Sequence, residues 1–135
     1  MFTFETNIRV RYAETDQMGY VYYGNYATYY EVARVEMLRS LGSSYKSLED
    51  NGIMMPVLDL KSQYIKPAKY DDLITVRVCM PEKPSVRIRF TYEIFSASGE
   101  LLNTGETNLV FVDMAKNRPC RAPYEFLDRL APYFD

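Results

Sequence analysis

Between Val10 and Arg34 the chain reads VRYAETDQMGYVYYGNYATYYEVAR, a stretch whose residue types can together do acyl chemistry. Asp16 sits in a short loop that leaves a strand-like run. Gly19 follows, and a Tyr22-Tyr23-Gly24-Asn25 turn leads into a long amphipathic helix. A helix N-terminus offers unpaired backbone N–H groups and roughly half a positive charge, which suits a developing oxyanion. A carboxylate beside it can attack the same carbonyl, or deprotonate the water that does. Each residue also has a plainer reading. A loop aspartate commonly caps its own turn, and Asn25 is placed to cap the helix. Glu14 reads as a solvated charge at a strand end, near enough to bias Asp16 electrostatically. Tyr20, Tyr22 and Tyr23 are equally suited to lining an acyl pocket and to packing a seam between two copies.

The composition narrows the chemistry. Histidine is absent from all 135 residues, so no Ser-His-Asp or Cys-His device and no HExxH zinc site is available. A hydrolase made from this chain has carboxylates, hydroxyls, amides or a bound cation to work with. Thirteen tyrosines supply aromatic bulk with hydroxyl handles. Cys79 and Cys120 are too far apart for a CxxC redox pair or a zinc knuckle and read as reduced thiols. A net charge of −2 argues against nucleic acid held through phosphate contacts. The basic residues are uneven, with Lys61, Lys66, Lys69, Arg77, Lys83, Arg87 and Arg89 in the middle of the chain, mostly on expected solvated strand faces. The start, MFTFETNIRV, lacks a signal peptide's basic and then continuously apolar pattern. No run approaches the ~18 apolar residues of a membrane span. The expected location is the cytoplasm.

The elements that must position Asp16 follow from periodicity. Thr6 to Ala13 alternates as a strand, with Ile8, Val10 and Tyr12 opposite Arg9 and Arg11. From about Asn25 to Leu41 the period changes to three and four through Tyr26, Tyr30, Ala33, Met37 and Leu41, with Arg34 beside the stripe. Such a helix is about 25 Å long, enough to cross a sheet, and Gly42 suits its C-terminal cap. A short second helix fits Ser44 to Asn51. Four strand-like runs come next, over 56–65, 72–80, 86–95 and 101–112, and a small helix over 124–130 closes the chain. Tight turns between strands favour antiparallel neighbours, so the expected architecture is α+β: a curved antiparallel sheet of about five strands around one long helix. Residues 1–135 are expected to form a single domain, whose open sheet edge favours pairing into a homo-oligomer.

At Asp16, Gly19, Val21, Asn25, Tyr26, Ala33 and Arg34 the chain resembles the hotdog-fold acyl-CoA thioesterases. The likeness is to the 4-hydroxybenzoyl-CoA thioesterases and their Tol-Pal-associated relatives. Their signature is a loop Asp, a G-x-V-x-[Y/H/N]-x-N-Y run, and a helix carrying A-R. The run Tyr70-Asp71-Asp72-Leu73-Ile74-Thr75-Val76 also resembles the start of a strand in that family, and the element order matches over nearly the whole chain. Tol-Pal-type relatives often carry His where this chain has Tyr23, so an imidazole that could orient or protonate is replaced by a phenol.

The resemblance implies that Asp16 is the catalytic carboxylate and that the Tyr23 backbone N–H polarises the thioester carbonyl. It implies a pocket built by a homodimer or tetramer, one subunit's loop and helix facing the partner's strands. The implied substrate contacts are Tyr20, Tyr22, Gly24 and Asn25, with Lys83, Ser85 and Arg87 in PEKPSVRIR toward the CoA phosphates and pantetheine. The implied activity is hydrolysis of an acyl-CoA thioester to free acid and CoA, with no metal and no organic cofactor. Two alternatives keep the fold: an acyl-acyl-carrier-protein thioesterase, and a non-catalytic acyl- or CoA-binding protein.

Overall fold

The computed structural model describes residues 1–134. Its main sheet consists of β1 (Phe2–Arg9), β3 (Val57–Tyr64), β4 (Leu73–Met80), β5 (Arg87–Phe95) and β6 (Leu101–Val110). The spatial order is β1-β4-β5-β6-β3, with every neighbouring pair antiparallel. The helix α1 (Tyr26–Ser40) lies on one face, and α2 (Tyr45–Asp50) and α3 (Tyr124–Leu130) stand at the periphery. The α+β architecture expected from the periodicity is the one observed.

The period-two pattern of the strands explains which face meets α1. Ile74, Val76, Val78 and Met80 of β4 and Ile88, Phe90, Tyr92 and Ile94 of β5 are buried together. They pack against Tyr26, Tyr29, Tyr30, Ala33, Met37 and Leu38 of the helix. Burying one such side chain contributes about 1.5–3 kcal/mol. Tyr30 stacks on Tyr92 with ring centroids 4.3 Å apart. Its hydroxyl donates to Asn103 Oδ1, with Ser62 Oγ 2.8 Å away. Burial pushes the Tyr30 hydroxyl up to about 12, so at neutral pH it keeps its proton. Among the described residues no buried side-chain nitrogen or oxygen lacks a partner. On the outer face the basic residues pair locally: Arg77 with Glu5 and Glu93, Arg89 with Glu82 and Glu106.

Several expectations need correction. The first strand runs from Phe2 to Arg9, not from Thr6 to Ala13, because Phe2, Phe4, Thr6 and Ile8 pair opposite Met80, Val78, Val76 and Ile74 along the whole of β4. Past Arg9 the chain leaves the sheet, and Tyr12–Glu14 forms a 3-10 turn. Val10 is therefore core, while Tyr12 is 78% exposed. The run over 101–112 is split: β6 ends at Val110, and Val112–Asp113 becomes β7 of a second small sheet, β2 (Ile53–Met54), β7, β8 (Arg118–Pro119). Two-residue strands leave too little alternation to be read in a sequence. As expected, α1 ends at Gly42, where Ser43 N–H donates to Leu38 O at 3.0 Å and Gly42 N–H to Arg39 O at 2.9 Å, a Schellman closure.

Candidate active site

The loop carrying Asp16 is a miniature hairpin. Thr15 and Val21 face each other as an antiparallel bridge. Asp16 N–H donates to Tyr20 O at 2.8 Å, and Tyr22 N–H to Glu14 O at 2.9 Å. At the tip, Gly19 N–H closes a turn on Asp16 O at 3.0 Å. Gly19 has φ +77, a left-handed conformation that other residues adopt at a cost. The hairpin docks on the chain before β4 through Val21 N–H to Ala68 O at 2.8 Å and a bridge from Tyr20 to Lys69. Asp16 is half-buried, and its Oδ1 accepts from Met18 N–H at 2.9 Å and Tyr20 N–H at 3.3 Å. The turn-capping reading of Asp16 is thus correct. It leaves Oδ2 without a protein donor among the described residues.

From the hairpin the chain enters α1 through a single 3-10 turn, Tyr23–Asn25. Asn25 N–H donates to Tyr22 O at 2.9 Å, while the N–H groups of Tyr23 and Gly24 have no protein acceptor among the described residues. Such free donors are normal at the start of a helix. Asn25 is not a side-chain cap. Its backbone is already helical, and its Nδ2 reaches back 11 residues to donate to Glu14 O at 2.9 Å.

A cleft of about 290 Å³ opens between the hairpin, the start of α1 and the end of β3. Asp16, Tyr20 and Tyr23 line one side, Tyr26 lies beneath, and Tyr64 and Ile65 face them. Tyr64 packs edge-on to Tyr26 at 5.3 Å between centroids, and its hydroxyl donates to Tyr23 O at 3.3 Å. Sequence reasoning did not find Tyr64 and Ile65. They lie 41 and 42 residues from Tyr23, and nothing in a strand's alternation says which loop its end meets. A larger cavity of about 490 Å³ lies between α2 and α3 at the other end of the molecule. The smaller cleft is the one that brings a carboxylate to the N-terminus of a long helix.

The expected site residues therefore divide. Asp16, Tyr20 and Tyr23 share the cleft. Tyr22, Gly24 and Asn25 adjoin it without lining it; the Tyr22 ring sits 4.5 Å from that of Tyr23 and covers Gly24. Lys83, Ser85 and Arg87 are not brought to it within one chain. They lie in and just after the turn between β4 and β5, where Arg87 pairs with Val110 at the end of β6, whereas the cleft lies at the opposite end, where Tyr64 pairs with Asn103. Among the described residues there is no group of three or more His, Cys, Asp or Glu side chains able to hold a metal ion. Among the described residues no helix is long and apolar enough to cross a membrane.

Glu14 overturns the solvated reading. It is only 8% exposed. Its Oε1 accepts from Arg11 N–H at 3.0 Å and Tyr29 OH at 2.9 Å, and its Oε2 from the Arg11 guanidinium at 2.9 and 2.6 Å. Burial alone pushes this carboxyl up, but the Arg11 and Tyr29 donors outweigh it and hold Glu14 below the usual glutamate range. Arg34 pairs within the fold with tyrosines: its Nε donates to Tyr45 OH at 3.0 Å and its Nη1 to Tyr92 OH at 3.5 Å.

A curved antiparallel sheet around one central helix, with an acidic hairpin beside the helix N-terminus, defines a hotdog-fold protein of the thioesterase class. Residues 10–130 match the thioesterase-like superfamily, and the chain belongs to that family. It is 33% identical over 120 residues to the acyl-CoA thioester hydrolase YbgC of Escherichia coli, spanning 89% of this chain and 90% of that one. YneP of Bacillus subtilis, provisionally named an acyl-CoA thioesterase, is 33% identical over 128 residues, 95% of this chain and 93% of that one. Among solved structures, the DHNA-CoA thioesterase of Staphylococcus aureus superposes with a TM-score of 0.86 at 41% identity, covering 98% of this chain and 86% of that one.

Proposed function

We propose that this thioester hydrolase cleaves acyl-CoA to the free acid and CoA, with Asp16 as the reacting carboxylate and the Tyr23 amide as oxyanion donor. The observation that carries the reading is that Asp16 and Tyr23 line one cleft: among the described residues Asp16 Oδ2 has no protein donor, and the Tyr23 N–H at the helix approach has no protein acceptor. With the carbonyl oxygen directed at Tyr23 N–H, charge developing on that oxygen is stabilised by a fixed donor and by the helix dipole. One such donor is worth about 10²–10³ in rate. Asp16 then acts by one of two routes. In the first, its free oxygen adds to the carbonyl carbon, the C–S bond breaks, CoA leaves as thiolate, and water hydrolyses the mixed anhydride. In the second, it takes a proton from the water that adds. Thiolate is a good leaving group, so neither route requires the imidazole that Tyr23 replaces.

The unit that carries the site is taken to be a homodimer formed through β3. Leu58 and Leu60 of this edge strand are 48% and 43% exposed, although Thr107, the neighbour of Leu60 on β6, is fully buried. Antiparallel pairing of two β3 edges would set the Val57 end of one copy beside the Tyr64 end of the other. The partner copy's turn with Lys83, Ser85 and Arg87 would then come to the same end as this cleft, where cations and a hydroxyl suit the phosphates of CoA.

The test is thiol release from acetyl-, palmitoyl- and benzoyl-CoA by wild type and Asp16→Asn. Turnover of at least one ester is expected, with kcat in the folded, oligomeric variant lower by about 10³ or more. Wild-type turnover by Asp16→Asn would overturn the mechanism. No turnover of any CoA ester by wild type would shift the reading to acyl-carrier-protein thioesters or to binding alone. Label found on Asp16 after single turnover in ¹⁸O-water would identify the first route, because only anhydride hydrolysis can leave it there.

A further inference from the structure

We propose that Glu14 is a positioning residue: it clamps the Asp16 hairpin to the first turn of α1 and so sets the geometry between the Asp16 carboxylate and the Tyr23 amide. The inference rests on the reading of Asp16 and Tyr23 given above and extends it to a residue outside the cleft.

Glu14 binds in two directions with two different groups. Its carboxylate takes Arg11, three residues back, and Tyr29, 15 residues ahead on α1. Its carbonyl takes Tyr22 N–H from the far leg of the hairpin and Asn25 Nδ2 from the helix approach. Two residues along from Glu14 stands Asp16, and one along from Tyr22 stands Tyr23. The chain thus passes through Glu14's grip immediately before the carboxylate and again immediately before the amide donor. A salt bridge made only for local stability would be complete with Arg11, whose side chain is 77% exposed. The contacts to Tyr29 and Asn25 do something the Arg11 pair cannot. They tie the leg of the hairpin that carries Glu14 to the helix, which the chain itself reaches only from the other leg, through the Tyr23–Asn25 turn. A buried carboxylate is also a stiff joint, because any shift that loses a donor leaves a charge out of water.

Misplacing a reacting group by about 1 Å can cost 10² in rate. Glu14→Gln and Tyr29→Phe are therefore expected to lower kcat by about ten- to a hundredfold on the best of acetyl-, palmitoyl- and benzoyl-CoA, with KM changed less than about threefold. The double variant is expected to be little worse than the more damaged single one, since both open the same joint. Should Glu14→Gln fail to fold, Tyr29→Phe and Asn25→Ala leave the Arg11–Glu14 pair in place and carry the test. Lowered thermal stability with wild-type kcat per folded molecule would overturn the proposal and leave Glu14 a structural residue. Raised KM at constant kcat would overturn it as well. Asp16→Asn run alongside separates the two failures. If Asp16→Asn turns over normally, the reading of the site falls. If it is inactive while the Glu14 and Tyr29 variants keep wild-type kcat, only the positioning role falls.

Discussion

The acid end of the pH range reports on one residue above others. Glu14 is held ionised below its ordinary value of 4.5 by Arg11 and Tyr29, against the opposing effect of its burial. A carboxyl lowered in the folded state contributes stability that is fully present above its unfolded value. That contribution is lost as pH falls through the folded value. The gap in melting temperature between wild type and Glu14→Gln should therefore be full at pH 6–7, narrow once pH falls below about 4.5, and close only below the lowered folded value, where the wild-type carboxyl is itself neutral. A gap independent of pH, measured by thermal melts across that range, would show that the charge does not matter. At this scale the sequence was a partial guide. Asp16 was picked out as a candidate by its neighbours Gly19, Asn25 and Tyr26. Glu14 did not, because a glutamate at a strand end looks the same whether its side chain meets water or Tyr29.

Element by element, α1 is decided by a tyrosine stripe and by what the sheet leaves room for. Tyr30 reaches β6 where residue 105 has no side chain, and a Cβ built on Gly105 would overlap the Tyr30 ring and hydroxyl. Gly105→Ala should cost about 1–3 kcal/mol through overpacking. It should also disturb the Tyr30–Asn103–Ser62 group, read as a lower midpoint in denaturant with an unchanged slope. Gly105→Ala with wild-type stability would mean that Tyr30 can turn aside freely. The helix and its stripe were legible because period 3.6 is written in adjacent residues. That Tyr30 requires a glycine 75 positions later was not. The same limit hid the split of the run over 101–112, since β7 pairs with β2 and β8 rather than with the main sheet.

For the whole molecule, the prediction turns on β3, the edge strand that exposes Leu58 and Leu60. A second copy laid edge to edge would bury Leu58 and Leu60 and bring Lys83, Ser85 and Arg87 toward the cleft. Leu58→Lys with Leu60→Lys should then shift the protein to monomer in sedimentation and lower turnover with it, because charges in a buried seam repel and stay unpaired. A monomeric wild type, or a monomeric variant with full turnover, would sink that arrangement. The residues expected to meet CoA belong to this scale as well. Within one chain they stand at the far end of the sheet from Asp16, and the edge-to-edge dimer proposed above would bring a partner's set toward the cleft.

The thioesterase class was legible through the resemblance of one motif, and the sequence by itself determined the order of the main elements, most of the faces they bury and the loop Asp ahead of a helix N-terminus. Each of these is encoded in residues a few positions apart, through alternation, helical period and turn chemistry. Tertiary structure alone decided that Tyr64 closes the cleft over Tyr23, that Asn25 binds Glu14 instead of capping its helix, and that Glu14 is buried between Arg11 and Tyr29. Those partners are brought together by the sheet and helix packing, and a contact that exists only after packing leaves no periodic trace along the chain.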